Sequence, residues 1–165
     1  MGELGIILGD GTKNFKPANN ITRAELASIV YNVIREKTNI NPDDYMIKEF
    51  TDIVKEHWSY KPVTVLYNLG IVNGYGTGKF KPYNNITRAE ISAVLTNLLE
   101  FFDIFPYNNG DIYDLTYTDV AEGYWAYRYI SDLTQHGIIV GYTDKTFKPL
   151  SSVTKAESAV MISLL

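Results

Sequence analysis

Two helical patterns of hydrophobic positions alternate along the chain. After Trp58, the apolar residues Val63, Leu66, Tyr67 and Leu69 recur at helical spacing, and Gly70 stands where a left-handed residue would close the helix. Trp125, Tyr129, Ile130 and Leu133 repeat the stripe, closed by Gly137. Pro62 falls in the first turn, where its missing N–H does little harm. A tryptophan in such a stripe is expected to serve the core. The second pattern opens on a threonine: Thr22-x-x-Glu25, Thr87-x-x-Glu90 and Thr154-x-x-Glu157. Each reads as a capping box, in which the hydroxyl accepts from the N3 amide and the glutamate reaches back to the N-cap amide. Ile21 and Ile86 can staple against Leu26 and Ile91, whereas Val153 faces Ser158 and loses that contact. These second helices are predicted to run through Val33–Ile34, through Leu98–Leu99, and to Leu165.

The patterns belong to a repeated unit. Gly9, Phe15, Pro17 and Thr22 match Gly74, Phe80, Pro82 and Thr87, and again Gly141, Phe147, Pro149 and Thr154. Phe50-Thr51-Asp52 with His57-Trp58 opens the second copy, and Tyr117-Thr118-Asp119 with Tyr124-Trp125 opens the third. In the first copy Gly5 to Gly9 aligns with the turns at Gly70 and Gly137, so Met1 falls opposite Leu66. The first copy is therefore expected as its second half only, residues 1–36, followed by copies at 50–102 and 117–165. Turn-rich polar linkers fill 37–49 and 103–116. The fold class is mainly α, a tandem array of helix–loop–helix units, and its function is expected between units.

Composition narrows the function. The 165 residues are 45% hydrophobic and 21% charged, ordinary for a globular chain. A net charge of -4 with no basic stripe argues against nucleic acid. No apolar run reaches the length of a membrane span. The absence of cysteine excludes disulfides and thiolate metal sites, and it suits a Gram-positive exterior. Thirteen tyrosines supply flat apolar faces with hydrogen-bonding tips, suited to sugars and interfaces as well as to half-buried packing. Met1-Gly2-Glu3 is not a basic leader, and Leu4 to Leu8 is too short for a signal core, so an exported protein starting here would be a fragment.

The residue after each cap carries the candidate chemistry. Arg23, Arg88 and Lys155 project from helix N-termini, where unpaired amides and the dipole already favour an anion. A guanidinium there offers a two-pronged receptor for a carboxylate, and Lys155 lacks that fork. The plain alternative is a solvated or ion-paired surface cation.

Ile-Thr-Arg-Ala-Glu after a glycine-rich turn and Phe-Lys-Pro, with Phe-x-Asp and His-Trp upstream, resembles the S-layer homology modules over nearly the whole chain. The resemblance implies a pseudo-threefold spindle with the first helices bundled at its centre and the first module truncated. It implies grooves that bind a secondary cell-wall polysaccharide, a pyruvylated amino-sugar polymer, and so tether a bacterial surface protein to the wall or S-layer. Carried onto this sequence, Arg23, Arg88 and Lys155 would face the ketal carboxylate and Asp52 or Asp119 would accept from sugar hydroxyls. Trp58 and Trp125 would flank the groove, and Gly74 or Gly141 would admit the sugar to the backbone. The first copy has no counterpart of the Asp or Trp, so a groove needing them would be incomplete in this chain.

No cofactor, metal or catalytic residue is expected. The acidic clusters near Asp10, Asp43-Asp44 and Asp111 lack the ligand order of a calcium loop. His57 and His136 occupy non-equivalent positions, Gly9-x-Gly11 lacks a dinucleotide-binding context, and a repeated Asp and Glu suit several binding grooves better than one hydrolytic cleft. The alternative function is an assembly module that joins S-layer proteins or self-associates through the incomplete first copy.

Overall fold

The computed structural model describes residues 15–45, 50–104 and 115–165. The turn expected at Gly5 to Gly9, the shortened first helix and parts of both linkers lie outside these residues. The described residues are helical and contain no sheet: α1 (Arg23–Lys37), α2 (Tyr60–Asn68), α3 (Arg88–Phe101), α4 (Tyr127–Gln135) and α5 (Lys155–Ser163), with a 3-10 turn at Pro42–Tyr45. Each second helix packs on the first helix of the next copy, α1 on α2 and α3 on α4, and no comparable contact joins α2 to α4.

Local chemistry explains the helix ends. All three capping boxes form, with Thr22, Thr87 and Thr154 accepting from the amides of Glu25, Glu90 and Glu157. Gly70 (φ 75°) and Gly137 (φ 68°) close α2 and α4 in the left-handed conformation. At both, the glycine amide and the next amide turn back onto the last turn, Gly70 N–H to the Tyr67 carbonyl and Ile71 N–H to the Leu66 carbonyl. Asp103 (φ 57°) plays the same part after α3, with Ile104 N–H donating to the Leu99 carbonyl. The Phe-Lys-Pro lysines Lys16, Lys81 and Lys148 also adopt positive φ, a strain repeated in every copy.

The copies are joined by a closed ring of backbone bonds. Ile21 N–H donates to the Val153 carbonyl at 2.9 Å, Val153 N–H to the Ile86 carbonyl at 3.1 Å, and Ile86 N–H to the Ile21 carbonyl at 3.1 Å. The three side chains in this ring are buried, as are Leu26 and Ile91. Ile21 and Ile86, predicted to staple their helix starts, therefore also form the junction of the array, together with Val153.

Two expectations are corrected. Trp58 and Trp125 are 56% and 55% exposed rather than core. The helices begin at Tyr60 and Tyr127, so both indoles sit in the preceding turn, outside the helical register that buries Val63, Leu66, Ile130 and Leu133. The helix N-termini are not open anion receptors. Arg23 and Ala24 N–H donate to the Asn84 and Pro82 carbonyls, Arg88 and Ala89 to those of Ser151 and Pro149, and Lys155 and Ala156 to those of Asn19 and Pro17. With the third amide on its threonine and the fourth on the cap carbonyl, no first-turn donor is left for a ligand.

Candidate functional site: the crevice beside Arg23

The cation after each cap reaches into the neighbouring copy. Arg23 is 7% exposed; its Nε donates to the Phe80 carbonyl at 2.9 Å, Nη2 to the Asn73 carbonyl at 2.7 Å, and Nη1 to Glu90 Oε1 at 3.1 Å. The guanidinium also lies over the rings of Phe80 (4.5 Å) and Tyr75 (5.0 Å). These bonds engage three of the five N–H groups of the guanidinium. Arg88, 4% exposed, repeats the carbonyl bonds to Phe147 and Val140, both at 2.8 Å, and lies over Phe147 and Tyr142. Among the described residues it forms no ion pair with Glu157, the counterpart of Glu90. Lys155 Nζ pairs with Glu25 Oε1 at 2.7 Å. The repeated cation thus has a structural partner set, which accounts for a positive charge at a helix start that the dipole disfavours.

Each capping glutamate serves two copies. Glu90 Oε2 accepts from Thr87 N–H, while Oε1 accepts from Arg23 and from the Tyr75 hydroxyl at 2.7 Å. Burial pushes its pKa up, but the Thr87 amide, the Tyr75 hydroxyl and the Arg23 charge outweigh burial and hold it below the ordinary value. Burial also acts first on Glu25, where the Lys155 and Thr22 bonds again prevail and lower the pKa. Tyr75 moves the other way, raised by burial and then by its bond to Glu90.

Beside Arg23 lies a crevice of about 310 Å³. Gly74, Tyr75 and Phe80 of the second copy line it, as do Glu90 and Asn97 of α3, and Trp125 and Tyr129 of the third copy. Leu26, Ala27, Ile71 and Val94 give it an apolar wall. All three copies contribute. The expectation that the first copy's groove lacks a tryptophan is therefore corrected: Trp125 comes to Arg23 from the third copy. Tyr75, Glu90, Asn97 and Tyr129 were not among the site residues expected from sequence. Their signal is the repeat combined with helix period, since Asn97 stands seven residues after Glu90, on the same face.

The other expected residues are placed differently. Asp52 is not on the crevice wall; its two oxygens accept from Phe80 N–H (2.8 Å) and Lys81 N–H (2.7 Å). Asp119 does the same for Phe147 and Lys148, at 2.7 and 2.8 Å. These carboxylates brace the Phe-Lys-Pro turn whose carbonyl holds the arginine. Gly74 and Gly141 have an internal reason to lack a side chain, because a Cβ would overlap the rings of Phe50 and Tyr117 respectively. Trp58 stacks obliquely beside His57 (5.3 Å between centroids), and His57 bridges Ser59 and the Tyr83 hydroxyl, each at 2.8 Å.

Comparison with known proteins accords with this arrangement. The S-layer homology domain profile matches residues 3–27, 49–91 and 116–159. A cellulosome-anchoring protein of Acetivibrio thermocellus is 36% identical over 90% of this chain and 32% of its own length. An S-layer protein of Bacillus licheniformis is 36% identical over 55% of the chain and 10% of its own length. An endoglucanase of a Bacillus species is 28% identical over 99% of the chain but 16% of its own length. The chain thus spans about a third or less of these relatives. Three matched segments at the three capped repeats, sharing one interlocked set of cations and glutamates, make the chain a member of the S-layer homology domain family.

Proposed function

We infer that this chain anchors a surface protein to the bacterial cell wall by binding an acidic wall polysaccharide in crevices between its copies, without turnover. S-layer homology modules of this kind belong to the cell wall and S-layer, and relatives that carry them include a cellulosome-anchoring protein and S-layer proteins. The observation that supports the reading most directly is the crevice beside Arg23. It joins a partly engaged guanidinium, an exposed indole and an apolar wall drawn from all three copies. A sugar's apolar face stacks on Trp125, and its carboxylate, of the kind a pyruvate ketal supplies, pairs with the Arg23 guanidinium. Each charge-assisted bond is worth about 1.5–3 kcal/mol where water is excluded.

Glu90 sets a condition on this mechanism. It partly neutralises Arg23, so an acidic ligand must approach from the side away from Glu90 or draw the guanidinium off it. Arg88, which forms no corresponding pair among the described residues, offers its charge to an acidic ligand without that competition.

Sedimentation with purified walls, before and after removal of the secondary polymer, tests the reading. The wild type is expected to pellet only with intact walls, and Trp125→Ala, an exposed position that leaves the fold alone, to lose most of that binding. Equal pelleting of wild type and Trp125→Ala, or of wild type with stripped walls, overturns it.

A further inference from the structure

Glu90 Oε1 accepts from two donors at once, Arg23 Nη1 at 3.1 Å and the Tyr75 hydroxyl at 2.7 Å. Its other oxygen, Oε2, accepts from Thr87 N–H at 2.9 Å and from the Thr87 hydroxyl at 3.1 Å. Were Arg23 to let go, each oxygen would still hold a donor. Arg23 is placed for the same change. Its Nε and Nη2 stay on the Phe80 and Asn73 carbonyls, so the guanidinium keeps its seat while Nη1 exchanges one carboxylate for another. The third-to-first junction differs. Glu25 Oε1 accepts from Lys155 alone among the described residues, and in the sequence Asp10 stands where the second copy has Tyr75.

A half-buried carboxylate oxygen that loses its only donor bears the full cost of its lost hydration, whereas one that keeps a second donor does not. The Tyr75 hydroxyl is that second donor for Glu90. Burial and the bond to Glu90 raise its pKa, so it keeps its proton. Its ring is held in turn, with Lys81 Nζ 4.0 Å from the ring centroid. We propose that Tyr75 is a positioning residue that makes the Arg23–Glu90 pair exchangeable: an acidic ligand takes Nη1, and Tyr75 and Thr87 retain the glutamate. The backbone ring of Ile21, Ile86 and Val153 keeps the copies joined meanwhile. With no tyrosine at the equivalent position, the Lys155–Glu25 pair stays a fixed junction. The proposal rests on the anchoring reading and decides how the Arg23 crevice makes room for a second negative charge.

The test is a nuclear magnetic resonance titration of the chain with methyl mannoside carrying a 4,6-pyruvate ketal, against the methyl ester of the same ketal. The quantity read is the ratio of acid to ester affinity, which a merely structural role of Tyr75 would not move. Tyr75→Phe keeps the ring and removes the reserve donor, and the ratio is expected to fall about tenfold. Glu90→Gln keeps a residue that serves a capping box but removes the competing charge, and the ratio is expected to rise. Tyr75→Phe added to Glu90→Gln should then bring little further fall, a coupling that the double-mutant cycle reads. An unchanged ratio in Tyr75→Phe, a ratio in Glu90→Gln no higher than wild type, or additive effects in the double variant overturns the exchange. Wall sedimentation run alongside separates the two readings. A wild type that pellets with intact walls but shows any of those results loses only the exchange, and one that neither pellets nor binds the acid loses both.

Discussion

Lys155 Nζ lies 2.7 Å from Glu25 Oε1, joining the third copy to the first across 130 positions of sequence. Arg23 and Glu90 make the same link between the first and second copies at 3.1 Å. In each, a cation from the first turn of one helix meets the capping glutamate of the next copy, so helix start and module junction share one carboxylate.

That sharing makes the junctions sensitive to acid. The folded-state pKa values of Glu25 and Glu90 are lowered, so both carboxylates bind protons more weakly folded than unfolded. Their contribution is fully present above the ordinary carboxyl pKa of about 4.5 and is lost as pH falls through the lowered folded values. Thermal melts from pH 7 down to pH 3 should show the loss beginning near pH 4.5. Glu90→Gln should be less stable at pH 7 and show a shallower fall. A melting temperature flat across that range in the wild type would contradict the assignment.

Asp52→Ala removes a carboxylate that accepts from two consecutive amides, and leaves Phe80 N–H buried without its partner. We expect a loss of about 2–4 kcal/mol in denaturant unfolding, more than an exposed acidic residue ordinarily costs. Asp52→Asn should fall between, since one carbonyl oxygen can still accept. A loss under 0.5 kcal/mol for the alanine variant would remove the bracing role.

Lys145 (φ 62°) occupies the position that Gly78 (φ 73°) holds in the second copy. Lys145→Gly should therefore be neutral or stabilising by up to about 1 kcal/mol, as relief of left-handed strain offsets the added freedom of the unfolded chain. Asp103→Gly after α3 should behave alike. The urea midpoint measures both, and a clear drop in either would show that the side chain has a role beyond its backbone angle.

Gly74→Ala places a methyl group against the Phe50 ring and 3.0 Å from the Lys79 carbonyl. Overpacking of this kind costs about 1–3 kcal/mol. Phe50→Leu in the same chain should recover part of the loss, a coupling that a double-mutant cycle reads directly. Additive losses would mean that the ring is not what excludes the side chain.

The helix termini were readable because their determinants are local. Thr22 and Glu25 lie three residues apart, and Gly70 follows its own helix, so the pattern carries the geometry. The roles of Arg23 and Asp52 were not readable in the same way. Asn73, Phe80 and Glu90, the partners of Arg23, stand 50 to 67 positions away, and those of Asp52 stand 28 and 29 away. A repeat read one copy at a time assigns each groove to its own copy. Folding instead brings Arg23, Glu90 and Trp125 together from three copies, which only the closed junction explains. The exposure of Trp58 and Trp125 turned on helix starts falling two residues after each indole.

The ring formed by Ile21, Ile86 and Val153 has no free end from which separation could start. Detaching any one copy must rupture two of the three backbone links together and uncover the first turns of two helices. In the anchoring role inferred above the junction would be loaded in tension, and this topology would make failure abrupt and collective, because no single backbone link of the ring can part alone.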